Sequence, residues 1–101
     1  MSRTLEKVRE ELEYVRVYYW AVRDSKGKKN FRFLDPKIDI AVEEYNQAIA
    51  KLENIKLFAV YTQIYIQGLK QNDLAKAWGV SKVYVWKLHK KLCEYFMTTL
   101  T

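Results

Sequence analysis

Lys82, Val83, Trp86, Lys87, Lys90 and Lys91 fall within ten residues of one another near the C-terminal end of the chain. Their chemistry is recognition rather than bond breaking. An ammonium group binds a phosphate or the acceptor edge of guanine, and a valine fits the methyl group of thymine. At ~100° per residue, a helix over 82 to 97 that turns Val85, Leu88 and Leu92 inward carries Val83, Lys87 and Lys90 at the centre of its outward face. Trp86, Lys82, Lys91 and Glu94 flank that centre. Tyr84 and Trp86 lie at the edges of the buried side, where each either stacks on a sugar or base or forms the rim of the core.

Residues for covalent or metal chemistry are scarce. His89 and Cys93 stand four apart on the same helix, as two metal ligands would, but the chain has no other His or Cys to complete a site or a disulfide. Glu10, Glu11 and Glu13, and likewise Glu43 and Glu44, are expected to be solvated acids on amphipathic helices. No glycine-rich phosphate loop is present. We therefore expect no enzyme, no cofactor and no metal.

The lysine face needs elements to hold it. The stretch "NDLAKAWGVSKVYVWKLHKKL", residues 72 to 92, predicts a short helix over 71 to 78, a turn at Gly79 and the second helix over 82 to 97. Two helices crossing steeply need a small residue at their approach and a permissive one at the turn, and Ala75 and Gly79 supply these. Val80 is expected to plug the corner and Ser81 to cap the second helix. Leu74 and Trp78 join the core. A helix over about 56 to 67 completes a three-helix unit. Lys70 just before the short helix and Gln71, Asn72 and Lys76 on it, with Lys82 and Lys91, are then available for DNA phosphates, while Val83, Trp86, Lys87 and Lys90 face bases.

The segment from Tyr65 to Leu92 resembles the helix-turn-helix of the fourth region of sigma factors, and more closely its relatives among small phage late-gene transcription regulators of the ArpU and RinA kind. The resemblance rests on Tyr65, Ile66, Gly68 and Leu69; on Asp73, Leu74 and Ala75; on Gly79, Val80 and Ser81; and on Val85, Leu88 and His89. It extends over roughly residues 49 to 96. Lys70 departs from the Ser or Thr of those families, which costs the short helix its side-chain cap, and Trp78 replaces a smaller aliphatic residue. The resemblance implies sequence-specific binding of double-stranded DNA for transcriptional control in a phage or mobile element. It does not carry over a promoter preference.

The rest of the chain reads as helical too. Leu5, Val8, Leu12, Val15, Tyr19 and Val22 make an apolar stripe over about 3 to 24, with Glu6, Arg9, Glu10, Glu13 and Arg16 on the other face. A loop follows, with Lys26, Lys28, Lys29 and Arg32, and with Phe31, Phe33 and Leu34 suited to packing back on the bundle. Asp35-Pro36 starts a second helix, striped by Ile38, Val42, Tyr45, Ile49 and Leu52. Asn54 and a change of apolar phase mark its end near 53 to 56. The two stripes pack as an antiparallel hairpin, or alternatively pair between two chains. The fold class is all-α: a single domain over 1–101, with a helical hairpin over 1–53 and a helix-turn-helix unit over 54–101.

The 101 residues carry a net charge of +6, and six lysines against two acids after residue 68 make the last third the electropositive part. That balance favours acidic partners. The charged N-terminal segment lacks an apolar signal core and no stretch is long enough to span a bilayer, so we expect a cytoplasmic protein without a membrane partner. The leading reading is a DNA-binding transcriptional regulator whose hairpin serves dimerisation with a second copy or contact with RNA polymerase or another transcription protein. Alternatives are a small terminase-like DNA-packaging subunit and a helical protein-binding module, such as an anti-activator or adaptor, without DNA affinity.

Overall fold

The computed structural model describes residues 3–24 and 36–100. The basic loop with Lys26, Lys28, Lys29 and Arg32, and the apolar Phe31, Phe33 and Leu34, lies outside the described residues. Every regular element among those described is helical: α1 Leu5–Asp24, α2 Pro36–Ala50, α3 Ile55–Tyr61, a π-helical segment Thr62–Ile66, α4 Gln71–Trp78 and α5 Lys82–Thr99. No helix among them is long and apolar enough to cross a membrane.

Local chemistry sets the boundaries. Thr4 caps α1, its hydroxyl accepting from the Lys7 N–H at 3.1 Å, so the helix begins at Leu5, the first residue of its apolar stripe, rather than at about residue 3. Asn54 caps α3 by accepting from the N–H groups of Lys56 and Leu57 at 3.0 and 3.2 Å, which is the break foreseen near residue 54. The helix predicted over 56 to 67 is α-helical only to Tyr61. Beyond it the turns widen, with the Gln67 N–H donating to Thr62 O at 2.9 Å. Tyr61, just before this segment, is tied to Asn46 of α2, and Tyr65, within it, to His89 of α5. Such long-range ties are invisible to local propensity.

The apolar stripes converge on one core. Val8, Leu12 and Val15 of α1 meet Val42, Tyr45 and Ile49 of α2, Leu57, Val60 and Tyr61 of α3, and Val85, Leu92 and Phe96 of α5. Burial of this apolar surface is the main driving force for the fold. The stripe of α1 does not face one long helix: it is shared by α2, the π-helical segment and α5. Three polar ties, from Arg3 just before α1 and from two levels of α1, converge on one turn of α2: Arg3 to Glu44 at 2.5 Å, Tyr45 to Glu11 at 3.0 Å and Asn46 to Tyr19 at 2.8 Å.

Two expectations need correction here. Glu11, expected to be solvated with Glu10 and Glu13, is only 9% exposed. It lies beside the apolar stripe, where Arg3 at 3.1 Å and the Tyr45 hydroxyl replace its water. Val80 does not plug the corner. Its backbone N–H closes α4 by donating to Ala75 O at 3.0 Å, while Gly79 N–H donates to Lys76 O at 3.2 Å. In that arrangement the left-handed Gly79, at φ 67°, swings the chain outward and leaves the Val80 side chain 36% exposed.

Candidate nucleic-acid interface

α4 and α5 meet at a turn built from three residues. A Cβ on Gly79 would touch nothing within 4 Å, so glycine is required there by the backbone angle and not by space. Ser81 then caps α5, its hydroxyl accepting from the Tyr84 N–H at 3.1 Å. Ala75 is buried where the two helices approach, and Leu74, Val85, Leu88 and Leu92 are buried around it, with Trp78 packed at the margin. This packing holds one face of α5 to the core and fixes which face is left for solvent.

The outward face carries the residues picked from the sequence. Val83 is 59% and Trp86 52% exposed, and Lys82, Lys87, Lys90 and Lys91 are exposed around them. Among the described residues none of these lysines is in ion-pair contact with a carboxylate, and neither are Lys70 and Lys76. Their charges are available to an anionic partner. Lys90 Nζ rests 5.6 Å from the centre of the Trp86 ring, a cation–π contact that steadies both side chains. Tyr84 is a rim residue: half-buried, it meets Lys56 Nζ of α3 through its hydroxyl at 3.1 Å.

The two helices contribute to one shallow depression lined by Gln71, Asn72, Lys82, Val83 and Trp86. The N-terminal end of α4 is thereby joined to the start of the α5 face. Lys70, just before α4, is exposed and in an extended conformation, and the Asp73 carboxylate accepts its N–H at 3.4 Å. An ammonium has no lone pair with which to answer, so only half of a capping box exists. Lys76 lies on the solvent face of α4 and Lys91 on the flank of α5 away from Trp86, so neither joins the depression.

No protein family, curated protein or solved structure matches this chain. The chemistry of the site therefore rests on its own geometry. His89 lies half-buried behind the lysine face, sharing a hydrogen bond with the Tyr65 hydroxyl through Nε2 and facing Cys93 Sγ at 3.9 Å through Nδ1. Burial, reinforced by the charges of Arg9 and Arg16, holds its pKa down at about 4. Burial likewise pushes the Cys93 thiol and the Tyr65 phenol up, so the trio is neutral near pH 7. Among the described residues no group of three or more His, Cys, Asp or Glu could hold a metal ion.

Sequence reasoning overlooked the wall that α1 adds beside α5. The helix runs along α5 in the opposite sense, with the Arg3 N–H donating to Met97 O at 3.1 Å at one end. Further along, Arg9 and Arg16 border Trp86 and His89. Arg9, Arg16 and Arg23 are spaced by seven, a signal present in the sequence. It acquires meaning only once α1 is known to pack along α5.

Proposed function

We propose that the protein is a sequence-specific double-stranded DNA-binding transcriptional regulator of the phage or mobile-element kind, reading the major groove with α5. In this reading α3, α4 and α5 form a trihelical helix-turn-helix unit, and α1 with α2 forms a helical hairpin that contacts RNA polymerase, another transcription protein or a second copy of the chain. Val83, Trp86, Lys87 and Lys90 face bases, while Lys70, Gln71, Asn72, Lys76, Lys82 and Lys91 hold phosphates.

The observation that carries the reading is the exposed α5 face, whose lysines form no ion pair with a carboxylate among the described residues, continuous with the N-terminal end of α4 through the Gln71, Asn72, Lys82, Val83 and Trp86 depression. A major groove admits one α-helix, and the partner helix of such a unit crosses the backbone beside it. The glycine turn, the Ser81 cap and the resemblance of residues 49 to 96 to sigma fourth-region relatives support the same assignment.

The test is selection of bound sequences from a randomised duplex pool at near-physiological salt, where loose phosphate contacts contribute little. The expected result is an enriched motif, with two-fold symmetry if the protein acts as a dimer. Weak, salt-sensitive binding without enrichment would replace the regulator by a packaging role. No binding at all would favour a protein partner, for which the exposed Trp20, Ile55 and Phe58, at 61%, 82% and 45%, are the candidate contacts.

A further inference from the structure

A groove separates α1 from α5, with Leu5 and Arg9 on one wall and Trp86, His89, Lys90 and Cys93 on the other. It continues past Glu13 and Arg16 to Gln71 at the start of α4. The three heptad-spaced arginines of α1 meet it differently. Arg23 donates to the Ile66 carbonyl, and Arg16 sits 5.1 Å over the Tyr65 ring with Glu13 at 3.5 Å. These two fasten α1 to the π-helical segment. Arg9, two turns before Arg16 on the helix, is exposed, and among the described residues no carboxylate pairs with it.

We propose that Arg9 binds a backbone phosphate of the same duplex whose major groove α5 enters, so that α1 supplies part of the DNA interface. The inference rests on the DNA-binding reading above. A helix lying in a major groove runs between two walls of phosphates. On the flank of α5 that carries Trp86, Gln71 and Asn72 border its first turns near Val83. Arg9 borders the same flank near Lys90, about 11 Å further along the helix at 1.5 Å per residue. The two positions thus follow one edge of the groove. A guanidinium matches phosphate oxygens through two parallel N–H bonds, and with α1 held by Arg16 and Arg23 the side chain is presented from a fixed base. The nearest acid in the groove, Glu13, is already engaged by Arg16, and the His89 floor is neutral, so the groove keeps its positive character.

The experiment compares the parent with Arg9→Gln, Arg9→Lys and Lys7→Gln across about 50 to 200 mM salt, on an enriched duplex and on an unrelated duplex of equal length. Lys7 lies on the opposite side of α1 and controls for the loss of one charge. Arg9→Gln should weaken both duplexes by the same factor, about tenfold, and reduce the salt slope by about 1. Arg9→Lys should keep the slope and lose part of the affinity, and Lys7→Gln should match the parent. Circular dichroism melts of Arg9→Gln and the parent should coincide, since the side chain is exposed. Parent-like affinity and slope in Arg9→Gln, or an equal loss in Lys7→Gln, would overturn the inference while leaving α5 as the reader. Failure of the parent to bind any duplex would remove the DNA reading and this inference together.

Discussion

Lys87 and Lys76 differ in what they can touch, although both are exposed lysines on neighbouring helices. Under the DNA-binding reading proposed above, Lys87, at the centre of the outward face of α5, would have a base edge within reach, whereas Lys76, on the solvent face of α4, would meet only the sugar-phosphate backbone. Lys87→Ala should therefore relax preference among target sequences by about 1–3 kcal/mol. Lys76→Ala should weaken every duplex alike and lower the salt slope by about 1, measured by titration at several salt concentrations. Two variants that bind all duplexes as the parent does would sink both assignments. His89 offers a different test. Its pKa is depressed to about 4 by burial and by Arg9 and Arg16, so between about pH 4 and 6.5 the unfolded chain binds a proton that the folded chain does not. Stability is complete above that window and falls as pH drops through it. Urea titrations should show a loss of about 2 kcal/mol attributable to this residue between pH 7.5 and 5, and His89→Gln should lack that part of the pH slope. An unchanged slope in the variant would place the titration elsewhere.

α4 has eight residues and begins without a side-chain cap. A helix this short depends on its ends, because the orphaned N–H groups of its first turn are a large share of its backbone. Lys70 already has the extended backbone that suits a cap, and Asp73 already accepts its N–H. Lys70→Ser would add the missing acceptor and complete the box, stabilising the protein by about 1 kcal/mol. The same change removes a cation assigned to phosphate, so duplex affinity should fall. Opposite signs in a thermal melt and a binding titration are the expected outcome; a rise in both would mean that Lys70 does not touch DNA. At its other end α4 closes on Gly79, whose left-handed backbone explains why the exposed turn admits glycine although there is room for a side chain.

One core couples the ends of the chain. Phe96 of α5 is fully buried, its ring 4.6 Å from that of Tyr45 on α2 and 5.7 Å from that of Tyr61 on α3. Phe96→Ala should cost about 3–5 kcal/mol, a large part of the 5–15 kcal/mol that holds a typical domain folded. Because Trp20 reports on α1 and Trp86 on α5, tryptophan fluorescence and far-ultraviolet dichroism should follow one unfolding transition in the parent and in the variant. Two separate transitions would mean that the helices before residue 51 and those after it fold independently. Solution mass bears on the job of the whole molecule: one or two copies fit a regulator on one or two half-sites, and a ring of many copies would favour DNA packaging.

Helical character, the break at Asn54, the Gly79 turn, the Ser81 cap and the exposed α5 face could all be read from the sequence. Each depends on neighbours within one or two turns, where apolar spacing and backbone chemistry act directly. The π-helical turn, the burial of Glu11 and the exposure of Val80 could not be read in this way. The first two follow from partners beyond the local window, His89 and Asn46 for the two tyrosines and Arg3 and Tyr45 for Glu11, whereas Val80 is exposed because the left-handed Gly79 swings the chain outward. The heptad spacing of Arg9, Arg16 and Arg23 lies between these cases. Sequence alone puts them on one side of α1, and only the packing of α1 along α5 decides that this side borders the lysine face, because relative helix placement is settled by shared core contacts that no local pattern contains.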